Sequence, residues 1–280
     1  MTTILQPPAT KPPAKRIPMS PTRKTALVAG VFYLITFISI PTLALYGPVK
    51  DHNWILSSGS HTAVLVGGFL ELIVALAGVG TAVTLYPVVK RQNEGVALGF
   101  VTARVIEGGM ILVGVVSLLS LASLRQEMGG AAGASAAALV ATAASHVAVY
   151  NWTFLLGQSL MPAINALLLG SLLYRSRLVP RILPVLGLIG APLLIASVVT
   201  TLFRTDHQIT VLAMGFAPVA VWEFSLGVWL VVKGFRPSPI TAAMDAASAP
   251  LAERGVSASP TARQHGRPGR AAVLPGVGAP

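Results

Sequence analysis

A chain of 280 residues with 54% hydrophobic and only 10% charged residues falls well short of the roughly 25% charge typical of soluble domains, so lipid must be the solvent for most of it. The net charge of +11 would suit a nucleic-acid binder, but no zinc spacing or aromatic-interleaved basic motif accompanies it, which argues for no nucleic-acid partner. The absence of cysteine excludes disulfides, thiolate metal sites and cysteine nucleophiles.

Residues 1–24 include the run LQPPATKPPAKRIPMSPTRK, whose prolines oppose helix and core alike and which reads as a disordered basic arm. The first apolar segment follows this long arm without a clean small-x-small cleavage site, so a cleaved signal peptide is not expected. Six apolar segments follow, at 25–46, 62–86, 96–122, 147–173, 183–203 and 209–232, each near the roughly 20 residues a membrane helix needs. The fold class is therefore all-α, a six-helix membrane bundle over 25–233 whose partner is the lipid bilayer; self-association is left open. Residues 234–280, small, basic and rich in Pro and Gly, read as a second disordered tail. Lys and Arg number five before the first segment, then one, two, one, three and one in successive loops, and six from Lys233 onward. By the positive-inside rule this alternation places both termini in the cytoplasm.

The second segment carries Glu71, between Gly67 and Gly78, and the third carries Arg104 and Glu107, with Gly108 and Gly114 nearby. Glu223 lies in the sixth. From a rise of 1.5 Å per residue, these four charged groups sit roughly 12 to 22 Å from the cytoplasmic ends of their helices, near the middle of the bilayer. An unpaired charge there costs several kcal/mol. Arg104 and Glu107, spaced i and i+3, share a helix face, which must look into the bundle towards Glu71 or Glu223. Three ionised carboxylates and one guanidinium would leave about −2, which a low dielectric opposes, so one carboxylate is expected to pair with Arg104 and at least one Glu to carry a proton. The glycines are explained by close helix packing.

The fourth segment, NWTFLLGQSLMPAINALLLG, spaces Asn151, Gln158 and Asn165 by sevens, nearly two turns, so that they form one polar stripe. Pro162 frees a backbone carbonyl beside it. The Gly-rich run 129–138 before this segment reads as a low-complexity outer loop. His52, His61, His146 and His207 fall at or beyond the outer ends of segments, without the HxxxH or HExxH spacing of a metal site, and read as scattered loop residues. No metal and no cofactor is expected. Phosphate-loop, nucleophile-elbow and dinucleotide fingerprints are absent.

LYPVVKRQNEGVALGFVTARVIEG (85–108) and LLYRSRLVPRILPVLGLIGAPLL (172–194) resemble the bacterial multi-pass membrane family catalogued as domain of unknown function 4386. The most specific positions are Tyr86, Pro87, Lys90, Arg91, Arg104 and Glu107. The resemblance implies an integral protein of a bacterial plasma membrane and no particular activity. Titratable groups at mid-bilayer depth on three helices make a small-solute or proton-linked transporter the leading expectation. An intramembrane lipid-modifying enzyme, with one neutral Glu as acid and an ionised one as base, is the second; it lacks a recognisable nucleophile or metal set. A sensor or partner-binding subunit with a purely structural polar core is the third.

Overall fold

Backbone in lipid must satisfy its own hydrogen bonds, and a helix does so within a single segment. The computed structural model, which describes residues 19–128, 134–203 and 208–247, is accordingly helical, with no strand among the described residues. Helix α1 (Pro21–Thr36) opens on a Ser20 cap that accepts from the Arg23 backbone N–H, with proline at the first turn, so helix begins inside the predicted arm. A break at Phe37 and Ile38 leads to α2 (Ser39–Leu45), and two short turns, Pro48–Lys50 and His52–Leu56, form a strap over one end of the bundle. Then come α3 (Thr62–Val89) and α4 (Glu94–Met128), and a fourth span made of α5 (Ala134–Thr153), a π-helical stretch Phe154–Leu160 and α6 (Met161–Ser176). Helices α7 (Ile182–Phe203), α8 (Gln208–Val232) and α9 (Pro239–Ala247) complete the order.

Six spans among the described residues are long and apolar enough to cross a membrane: Pro21–Leu45, Thr62–Val89, Glu94–Met128, Ser135–Ser176, Ile182–Phe203 and Gly215–Val232. They close into a ring. Helix α1 packs between α3 and α8, α3 against α4, α4 against α6, α6 against α7 and α7 against α8, while α5 lies along α4. Small residues set the closest approaches: a Cβ on Gly30 would stand 2.7 Å from the Gly227 carbonyl oxygen, which brings α1 and α8 nearly into backbone contact.

Three stretches depart from the sequence reading. The fourth span starts about twelve residues before the predicted 147, because the uncharged, Ala-rich stretch from Ala134 favours helix while adding little hydropathy. Residues 134–138 are thus helix rather than loop, and His146 sits within α5, where the Ser117 hydroxyl reaches its backbone oxygen and Nδ1 at 3.0 Å each. The third span runs six residues past 122, which turns Arg125 from a loop cation into a buried helical one. In the tail, α9 is started by a reciprocal cap: Thr241 N–H donates to the Ser238 hydroxyl at 3.2 Å and Ser238 N–H to the Thr241 hydroxyl at 2.9 Å. It docks on α1, where Thr22 donates to Asp245 from its backbone and hydroxyl at 2.9 to 3.2 Å. Residues 1–18 and 248–280 of the predicted tails lie outside the described residues, as do 129–133 and His207.

Candidate functional site

The four mid-bilayer charges divide between two separate polar layers. In the first, the Arg104 guanidinium donates from Nη1 to both Glu107 oxygens at 3.1 and 3.2 Å, and from Nη2 across the bundle to Glu223 on α8. Asn165 of α6, fully buried, donates to Glu107 Oε2 at 2.7 Å. The rings of Tyr33 and Phe100 lie 5.4 and 5.9 Å from the guanidinium carbon, within cation–π range. One cation thus bridges two carboxylates, and the interactions join α1, α4, α6 and α8.

Glu71 is not part of that cluster. Only 1% exposed, it accepts at Oε1 from the Thr42 hydroxyl at 3.2 Å and from the Gln158 amide at 3.3 Å, while Oε2 is buried with no hydrogen-bond partner among the described residues. Tyr46 and Tyr150 meet edge to face at 5.4 Å, and both hydroxyls are buried with no hydrogen-bond partner among the described residues. Lys50 of the strap, half-buried, holds its ammonium 5.0 Å above the Tyr150 ring. Burial pushes Lys50 below its ordinary range, and the nearby Glu71 charge acts in the opposite sense. The second layer therefore sets one carboxyl among neutral donors, with its cation at the rim.

The amide stripe is only partly realised. Gln158 reaches Glu71 and Asn165 reaches Glu107, so the fourth span touches both layers; Asn151 is exposed and joins neither. The π-helical stretch Phe154–Leu160, which starts after Asn151 and contains Gln158, closes its bonds at i+5 and rotates the face, which breaks a spacing of sevens drawn for a regular α-helix. Pro162, at the start of α6, supplies no N–H and suits such a discontinuity.

Sequence reasoning missed Thr42, Tyr33, Tyr46, Tyr150, Lys50 and Arg125. An aromatic residue in an apolar run gives no signal of its own, and Lys50 and Arg125 passed as loop cations. Arg125 donates from Nε and Nη2 to the Ser57 carbonyl at 3.0 and 2.7 Å and stacks 4.0 Å from the Trp54 ring, which clamps the strap. Of the histidines whose side chains are described, His61 meets Gln126 and His146 meets Ser117, and no group of three His, Asp or Glu among the described residues could hold a metal.

No curated protein and no solved structure matches the chain. Residues 28–234, from the middle of α1 to just past α8, match the family described as Domain of unknown function (DUF4386). Both polar layers lie inside the matched stretch, and the chain belongs to that family.

Proposed function

We infer that this protein is a proton-linked, small-solute transporter in which Glu71 exchanges a proton while the Arg104, Glu107 and Glu223 cluster ties the helices together. The observation that carries this reading is Glu71 itself: a buried carboxyl with neutral donors on one oxygen and, among the described residues, none on the other, held by a span that is π-helical and proline-interrupted beside it. A group so placed changes charge without breaking a fixed ion pair. Broken helices at membrane depth are where transporters build substrate and coupling-ion sites. The Lys and Arg alternation further supports cytoplasmic termini in a bacterial plasma membrane. Reporter fusions after Lys90 and Arg177 test that orientation, and activity on the outer side at either would reverse it.

The functional test compares labelled-metabolite accumulation and lipid profile in a deletion strain complemented with the parent, Glu71→Gln or Glu107→Gln. A solute pool restored by the parent and not by Glu71→Gln supports transport. Accumulation restored equally by both variants would sink it, and a lipid profile that changes while uptake does not would favour an intramembrane enzyme instead.

A further inference from the structure

The second layer leads to the membrane face that carries the strap. The Tyr46 ring packs against α3 at Gly67, one turn before Glu71, and meets the Tyr150 ring, over which the Lys50 ammonium stands, so the four side chains share one neighbourhood at the end of the bundle covered by 46–57. Three of their polar atoms, Glu71 Oε2 and the two phenol oxygens, are buried and have no hydrogen-bond partner among the described residues. Native proteins rarely leave such atoms unpaired, and where they do the groups commonly serve water, an ion or chemistry. A metal cation is disfavoured because the Lys50 ammonium already occupies the rim. A phenol hydroxyl both accepts and donates, so it passes a proton without being consumed.

We propose that Lys50, Tyr150 and Tyr46 form a proton relay from the strap-bearing face to Glu71. The inference deepens the proton-linked reading and rests on it only in requiring Glu71 to change protonation. The Lys50 ammonium releases one proton and becomes a neutral amine. A tyrosine oxygen, directly or through an intervening water, accepts that proton and gives up its own, and the Glu71 carboxylate becomes a carboxylic acid. Lys50 then takes a proton from the aqueous side, so one proton has moved inward and no electron has changed hands. Burial of Lys50 among the strap residues lowers its hold on a proton and suits it to release one.

Among the described residues at this end, Glu127 is exposed at the end of α4, His61 meets Gln126 and His146 meets Ser117. Asp51, beside Lys50, is turned to cap the following turn through the Asn53 N–H at 2.9 Å, and Arg125 is bound to Ser57. Thr42 and Gln158 complete the surroundings of Glu71 as neutral donors. The route has a fixed rim, since Val49 and Ile55 of the strap are 1% exposed and anchor the segment that carries Lys50.

The test uses the full chain in proteoliposomes and reads the infrared carbonyl band of the protonated carboxyl that Glu71→Gln abolishes. A downward pH step on the strap-bearing side should raise this band, and Lys50→Met should slow the rise on the order of 100-fold. Lys50→Arg should be as slow, since a guanidinium keeps the charge and the ring contact but does not give up a proton. Tyr150→Phe and Tyr46→Phe each remove a single oxygen that holds no hydrogen bond among the described residues, should melt like the parent, and should slow the rise to a smaller extent. A band that rises at the parent rate in Lys50→Arg and in both Phe variants overturns the relay, as does one that follows only the pH of the opposite face or never responds. A band that behaves as expected in a protein that accumulates no solute leaves the relay standing and removes the transporter reading.

Discussion

The two polar layers contain the same kind of acid and treat it differently. Around Arg104 the charge is closed: one guanidinium sits within hydrogen-bonding reach of two carboxylates, and Asn165 takes up more of the remaining capacity. Around Glu71 the charge is open, with neutral donors on one oxygen, none among the described residues on the other and a lysine at the rim. The first arrangement resists any change of protonation because each partner needs the other. The second tolerates it. Depth in the membrane does not separate the two kinds of carboxyl; the distance to a fixed cation does.

The largest test of the contrast is Arg104→Leu. It leaves Glu107 and Glu223 facing one another without a cation and should cost about 3 to 5 kcal/mol, as removal of one buried partner does elsewhere. Folded protein recovered in detergent should fall sharply, and combining the change with Glu107→Gln and Glu223→Gln should restore most of it. Arg104→Leu melting like the parent would mean that the layer is not closed. Next in size is Gly67→Ala, whose new Cβ would stand 2.5 Å from the Tyr46 ring and should cost about 1 to 3 kcal/mol by overpacking. Gly78→Ala serves as its counterpart in the first layer. Its Cβ would lie 4.0 Å from Arg104, an ordinary contact, and its Tm should match the parent.

Smaller still is Glu71→Gln. If the open layer already accommodates an uncharged group, the melt should stay within about 0.5 kcal/mol of the parent, the range of an uneventful substitution. Glu107→Gln, which takes charge from a pair, should cost more, and equal losses from the two changes would erase the distinction. The smallest effect concerns pH. Because the folded state holds a proton on Lys50 less tightly than the unfolded chain, the unfolded chain binds more protons as pH approaches the ordinary lysine value of 10.5, and stability attributable to Lys50 should rise with pH in that window. In thermal melts, the stability of the parent relative to Lys50→Met should therefore shift in the parent's favour as pH increases. A constant difference between them would show that Lys50 titrates in the fold as it does in water.

Hydropathy made the bundle readable, since runs of twenty apolar residues admit few alternatives to a spanning helix. The spacing of Arg104 and Glu107 likewise made their shared face readable. Which distant carboxyl they meet was not, because ring order decides it and both Glu71 and Glu223 lie at suitable depth. Asn151 left the stripe through a π turn that no periodicity announces, and the start of the fourth span was hidden because alanine favours helix more than its hydropathy suggests. The α9 helix did leave a trace: Ser238 followed by Pro239, with Thr241 three positions on, is a helix-start pattern within a stretch that looks like tail.

The contact between α1 and α9 has a further consequence. With Thr22 bonded to Asp245 and α1 packed against α8, the first and last spans are neighbours, and the ring of helices has no seam. Chain order is then a matter of synthesis rather than of architecture. A short linker joining the two ends, with a new opening cut at the turn 177–181 on the same face, would give a circular permutant that keeps the interhelical contacts of the bundle.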